Sequence, residues 1–379
     1  MNNKILFFVL FIWTIFTHIP AQSQTTVQGN FTFEGIERSY LLYVPASYSA
    51  QSAAPLLLNL HGYGSNMNEQ MQYGEFRPIA DTAGFLLVVP NGTPDFNNTM
   101  HWNTFGTSNV NDVGFLSALM DTISMHYNVD PHRLYSTGMS NGGFMSYSLA
   151  CFLNNRMAAI ASVTGTMTTA NFMSCIPTRP VPVMQIHGTA DGTVPYNGNA
   201  FFLSVPTILT HWIDVNNCNA TPEVTLLPDV NTADGCTAEH YLYSGGDAGS
   251  TVEHYKIIGG GHSWPGAPLN INVTNMDFNA SAVIWQFLRK YNLSGLLSIS
   301  DEFAEVGVVV GPNPAQGTLT IRSEKESLSE VKVFDAQGRL LQHIKAGTND
   351  LQLDLKQKGF LFIQVNTKTG SKVFKVVNA

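Results

Sequence analysis

A chain of 379 residues is long enough for two or three domains, and 44% hydrophobic against 12% charged residues excludes disorder along its whole length. The net charge of −8 excludes a protein that holds nucleic acid by neutralising phosphates, because that binding needs a cationic surface. The charge is unevenly spread: residues 1–300 carry 9 basic and 18 acidic side chains, net −9, while residues 301–379 carry 10 and 9, net +1, so two kinds of polypeptide meet near residue 300.

Residues 1–23 read as an export signal. Lys4 supplies a short positive region, residues 5–16 form an apolar run broken only by Thr14, and Ala21-Gln22-Ser23 places small residues ahead of a cleavage expected before Gln24. That run is shorter than the roughly 20 residues a bilayer-spanning helix needs. Residues 31–33 and 38–44 then alternate around Glu34-Gly35, the pattern of a hairpin. Short, nearly continuous apolar runs follow at 55–60, 85–89, 134–136, 158–163, 181–186 and 254–258, as expected of parallel strands covered on both faces. Helices are expected between them at 111–127, 141–152, 206–216 and 279–291; in the last, Val283, Ile284, Phe287 and Leu288 share one face. This alternation predicts an α/β domain over residues 24–292, with a mostly parallel sheet flanked by helices.

A Leu-, Ser- and Gly-rich linker is expected at 293–305. Beyond it, alternating stretches at 308–310, 318–321, 331–334, 351–355, 360–365 and 373–377, separated by turns such as Ala336-Gln337-Gly338 and Thr369-Gly370, predict a small C-terminal all-β sandwich over 306–379.

The strongest chemical motif is Gly138-Met139-Ser140-Asn141-Gly142-Gly143, placed between an expected strand and an expected helix. Glycines two before and two after a serine allow the sharp strand-to-helix turn that lifts a nucleophilic hydroxyl out of the sheet edge. Such a hydroxyl needs an imidazole to take its proton. His211, His240 and His254 fall within helical or strand-like patterns and are read as structural. His262 instead stands in a Gly-rich loop directly after the strand at 254–258, where catalytic groups project, and is the expected base. Asp191, in the loop after the strand at 181–186, is the expected acid; Asp214 is mid-helix, and Asp229, Asp234 and Asp247 lie in a polar excursion. Backbone N–H groups of Asn141 and Tyr63, the latter in His61-Gly62-Tyr63-Gly64 after an early strand, are expected to hold an oxyanion, with the Gly62 N–H as the alternative second donor. His61 and His187, each preceding a glycine at a strand end, are read as structural.

Export permits disulfides. The four cysteines, Cys151, Cys175, Cys218 and Cys236, allow three pairings; the sequence-local one joins Cys151 to Cys175 and Cys218 to Cys236, each bridge contributing on the order of 3 kcal/mol. With no Cys-x-x-Cys spacing, neither a zinc site nor a redox pair is expected, and the reading requires no metal and no cofactor.

Four segments taken together resemble the polyhydroxybutyrate depolymerase and feruloyl esterase family of secreted α/β-hydrolases, carbohydrate esterase family one. They are Asp112-Val113-Gly114-Phe115; the run from Val129 through Arg133-Leu134-Tyr135-Ser136-Thr137 to Gly143; Arg179-Pro180-Val181-Pro182-Val183 with His187-Gly188-Thr189-Ala190-Asp191; and Gly260-Gly261-His262-Ser263-Trp264-Pro265-Gly266. The resemblance covers roughly residues 30–292. It implies Ser140, Asp191 and His262 as the catalytic residues and a Cys151–Cys175 disulfide. It also implies an aromatic substrate contact at Trp102, with Trp264 beside His262 taken as a second. Val310-Gly311-Pro312-Asn313-Pro314, Val333-Phe334-Asp335-Ala336-Gln337-Gly338-Arg339 and the strand at 372–377 resemble a type IX secretion sorting domain, which implies secretion machinery as a partner and an extracellular or cell-surface location. The expected activity is that of a secreted serine esterase on feruloyl or acetyl esters of plant polysaccharide, with a polyhydroxybutyrate depolymerase as the alternative. A serine peptidase and a non-catalytic surface binding protein are the other classes to be tested.

Overall fold

A computed structural model describes residues 24–269, 271, 273–293, 295–296, 308–312, 315–323, 326–335, 340–367 and 371–378. The expected signal, most of the expected linker and the turns at 336–338 and 369–370 lie outside the described residues. The chain divides into two compact units between Gly295 and Leu296.

The first unit opens with a hairpin of β1 (Thr25–Phe33) and β2 (Ile36–Val44). Its two-residue turn places Glu34 at φ 49° and Gly35 at φ 79°, the left-handed pair that matches the twist of the flanking strands. In chain order there follow β3 (Ala54–Leu60), α1 (Met67–Tyr73), α2 (Arg77–Ala83), β4 (Leu86–Pro90), the short pair β5 (Thr93–Pro94) and β6 (Met100–His101), α3 (Asp112–His126), β7 (Val129–Met139), α4 (Asn141–Phe152), β8 (Met157–Val163), α5 (Thr169–Ser174), β9 (Val183–Gly188), α6 (Val205–Asn216), β10 (Glu223–Leu226), β11 (Thr237–Tyr243), β12 (Val252–Ile258) and α7 (Ala280–Leu288). Ten strands form one sheet in the order β1-β2-β4-β3-β7-β8-β9-β12-β11-β10. Its six central strands, β4 to β12, are parallel, and the pairs at both margins are antiparallel.

Strand alternation sorts the core into two layers. Leu56, Leu58 and Leu60 pack with Phe115 and Leu119 of α3, Tyr147 and Leu149 of α4, and Ile208 and Trp212 of α6. Leu57 points the other way and packs with Met71 of α1, Ala80 of α2 and Ile284, Phe287 and Leu288 of α7. The expected mostly parallel sheet flanked by helices is therefore present. The strand expected at 134–136 is much longer, because the first half of β7 is polar or exposed (Asp130, His132, Arg133) and carries no apolar run. Helices α1, α2 and α5 have 7, 7 and 6 residues, too short for a helical period to be read.

Cys151 and Cys175 form a disulfide between α4 and the end of α5. The expected Cys218–Cys236 bridge is absent, and both residues are free thiols. Cys236 precedes β11, whereas Cys218 lies past its far end, where the Asn219 N–H meets Ser244 O at 2.8 Å. Seven strand residues at about 3.4 Å each separate those ends by about 20 Å, far beyond disulfide reach.

In the second unit, strands Val308–Gly311, Thr318–Ser323 and Asp350–Asp354 form one antiparallel sheet. Leu340–Lys345, Glu330–Asp335, Gly359–Asn366 and Ser371–Asn378 form another. Alternate residues such as Leu319, Ile321, Val331, Val333, Leu361, Ile363 and Val365 build a core of its own.

Candidate active site

The segment that the sequence marks as an elbow is one. β7 ends at Met139, α4 begins at Asn141, and Ser140 between them holds φ 54° and ψ −118°. A side chain in this left-handed region is strained and persists only where its surroundings impose it. Here the Ser140 N–H is held by Val163 O at 2.8 Å, and its carbonyl accepts the Phe144 N–H at 3.0 Å. The turn is tight enough that a Cβ on Gly138 would lie 2.5 Å from the backbone of Gly142, and one on Gly142 would lie 2.1 Å from Leu60 O. The first N–H groups of α4, those of Asn141, Gly142 and Gly143, have no acceptor within the helix and gather partial positive charge beside Ser140.

Asp191 and His262 leave the same sheet edge from the loops after β9 and β12, with His262 Nδ1 2.7 Å from Asp191 Oδ2. The carboxylate is buried. Its Oδ1 accepts the N–H groups of Thr193 and Val194 at 2.9 and 2.8 Å. Burial pushes its pKa up, but hydrogen bonds from His187 and His262 outweigh that, and the net result is a carboxyl held well below its ordinary range. Gly188 underlies this approach, since a Cβ there would meet Gly260 O at 2.1 Å.

Ser140 and His262 line one cleft of about 620 Å³ with Gly62, Tyr63, Glu69, Tyr73, Met139, Thr193, Leu269 and Ile271. A Cβ on Gly62 would lie 3.6 Å from Ser140 Cβ, so the His61–Gly64 loop runs beside the serine. Tyr63 lines the cleft half-exposed and donates its hydroxyl to Asp95 Oδ2 at 2.7 Å. Beneath, His61 accepts the Gly92 N–H on Nε2 and faces Gly62 O through Nδ1; burial lowers its pKa to about 4, so it stays neutral. The buried Asn141 side chain binds Trp102 N–H and O and the Thr104 hydroxyl, which ties the start of α4 to the neighbouring loop.

Two expected substrate contacts are corrected. Trp102 is 0% exposed, donates its indole N–H to His61 O at 3.0 Å and packs on the His61 ring. Trp264 is 1% exposed and donates its indole N–H to Ser281 Oγ at 3.1 Å. Both indoles support loops from within and neither lines the cleft. The cleft walls the sequence reading missed include Glu69, Tyr73, Leu269 and Ile271. The last two are exposed apolar residues in a loop, and that exception to loop composition was the available signal. Tyr73 is tied to the His262 loop, its hydroxyl accepting the Trp264 backbone N–H at 3.0 Å.

Residues 38–194 match the family described as Esterase PHB depolymerase, and residues 309–378 match the secretion system C-terminal sorting domain. The chain is similar to a bifunctional acetylxylan esterase/xylanase of Neocallimastix patriciarum, 28% identical over 285 residues that are 75% of this chain and 37% of the relative. It is also similar to feruloyl esterase B of Piromyces equi, 26% identical over 238 residues, 60% of this chain and 42% of the relative. The chain thus spans less than half the length of either relative. Among solved structures, a CE1 ferulic acid esterase of Anaeromyces mucronatus superposes over 73% of this chain and 93% of its own at a TM-score of 0.47 and 13% identity. The C-terminal match indicates an extracellular or cell-surface protein.

Proposed function

We propose that the protein is an extracellular carboxylic ester hydrolase that works by acyl transfer through Ser140. Ser140 Oγ attacks the ester carbonyl while His262 Nε2 takes its proton. Asp191 accepts the His262 Nδ1–H, fixing the tautomer and stabilising the imidazolium. The developing oxyanion is held by the N–H groups of Asn141 and Tyr63. His262 returns the proton to the departing alcohol, and water, activated by the same imidazole, releases the acid and restores Ser140.

The observation that carries this reading is the 2.7 Å contact between His262 Nδ1 and Asp191 Oδ2 in a cleft that His262 shares with a strained elbow serine. The substrate class proposed is a hydroxycinnamoyl or acetyl ester on plant polysaccharide, supported by the two relatives named above and by a sorting domain suited to a polymer outside the cell. The family described for residues 38–194 favours a second reading, a polyhydroxybutyrate polyester.

Wild type and Ser140→Ala are to be assayed on methyl ferulate, acetylated xylan and polyhydroxybutyrate film, with casein as a control. Wild type is expected to consume at least one of the two plant-type esters, with kcat at least about 10³-fold above the variant. Turnover of casein alone would make it a peptidase, and failure of a fluorophosphonate probe to label Ser140 would leave only a binding role.

A further inference from the structure

Asp191 holds one partner that the mechanism above does not use. On the oxygen that faces His262, His187 Nε2 approaches to 3.3 Å, and His187 is fully buried. Its tautomer is set by its neighbours. Gly165 O, 2.9 Å from Gln185 Nε2, can only accept, so the Gln185 amide turns its NH₂ that way. The same NH₂ lies 2.9 Å from His187 Nδ1, which must therefore be the bare nitrogen. The Tyr147 hydroxyl, donating to Gln185 Oε1 at 2.7 Å, locks the amide from its other end. The His187 proton thus sits on Nε2, shared between Val194 O at 2.8 Å and Asp191 Oδ2.

We propose that His187 is a positioning residue for the reaction, acting through Asp191; this rests on His262 being the base. The chain Tyr147, Gln185, His187 runs from α4 through β9 and holds one fixed N–H, shared with Val194 O, 3.3 Å from the carboxylate oxygen that also serves His262. The Gln185 NH₂ on Nδ1 thus fixes which His187 nitrogen carries the N–H and which way the ring faces. Two imidazoles then share one oxygen with different tasks. His262 pulls on Oδ2 each time it becomes cationic, and His187, with the N–H groups of Thr193 and Val194, keeps the carboxylate from following it.

The test compares His187→Leu, His187→Gln, Tyr147→Phe and Ser140→Ala on p-nitrophenyl acetate, with thermal unfolding of each. His187→Leu is expected to lower kcat about 10- to 100-fold with KM within about twofold, the size of effect a small misplacement of a catalytic group produces. His187→Gln, whose amide keeps a donor, is expected to recover most of that loss. Wild-type kcat in folded His187→Leu, a change confined to KM, or no recovery in His187→Gln overturns the proposal. Should His187→Leu not fold, Tyr147→Phe decides: a kcat loss of about 2- to 10-fold at constant KM supports it, and wild-type kcat overturns it. Full activity in Ser140→Ala would instead overturn the acyl-transfer reading.

Discussion

Ser140 keeps a backbone conformation that costs on the order of 1–3 kcal/mol and that glycine adopts freely. Ser140→Gly should therefore raise the urea midpoint by the equivalent of about 1 kcal/mol while abolishing ester hydrolysis; a lower midpoint would show that the side chain, not the backbone, is what the elbow accommodates. The two indoles and the exposed loop residues separate along the same line. Trp264→Phe removes a buried hydrogen bond and should cost about 1–2 kcal/mol of stability with little change in KM. Leu269→Ala removes cleft wall and should raise KM for methyl ferulate several-fold with stability within about 0.5 kcal/mol, because Leu269 is 57% exposed. Opposite results for the pair would return Trp264 to the substrate. The positions of Ser140, Asp191 and His262 at strand ends are legible because each sits in a Gly-rich segment directly after an apolar strand. Trp102 and Trp264 were misread because proximity in sequence to a loop says nothing about which way an indole turns. The 3.3 Å approach of His187 to Asp191 has no signature in the sequence because it depends on how the loop after β9 folds back.

Between elements, the close approach of β3, β7 and α4 is what sets the serine against the His61–Gly64 loop. A methyl on Gly142 would stand 2.1 Å from Leu60 O, a backbone atom at the end of the central strand β3 that cannot give way. Gly142→Ala should thus destabilise the fold by more than about 2 kcal/mol and depress kcat in whatever protein folds; a variant of normal stability would mean that α4 can slide. The single disulfide joins α4 to the end of α5, and free thiols in unreduced, unfolded protein should number two, both traceable to Cys218 and Cys236. Long central strands and α3, α4, α6 and α7 were readable from apolar runs and one-face spacing. The short helices and the polar half of β7 were not, since too few of their side chains reach the core to leave a period.

For the whole chain, burial of neutral histidines sets the acid limit of stability. Burial lowers His61 to about 4 and His254 to about 3, from an ordinary value near 6.5. Below about pH 6.5 the unfolded chain binds protons that the folded one refuses, so stability falls as pH drops toward 4, with each histidine contributing a loss on the order of 3 kcal/mol or more. The urea midpoint should decline steadily from pH 7 to pH 4.5; a flat profile would mean that these imidazoles are accessible in the native state. The second unit has its own core, and a chain ending at Gly295 should keep kcat/KM within about twofold. A large loss of activity in that truncation would show that the catalytic unit depends on the sorting unit.

Local chemistry, the periodicity of apolar residues and the glycines flanking Ser140 were enough to establish the class of fold, the change of texture near residue 300 and the strand-end positions of Ser140, Asp191 and His262, because each depends on a few neighbouring residues. The pairing of Cys151 but not Cys218, the inward turn of both indoles, the apolar wall from Leu269 and Ile271 and the second imidazole on Asp191 depend on which distant segments meet. Those meetings follow from strand order and from the path of loops between strands, and no short window of sequence contains either.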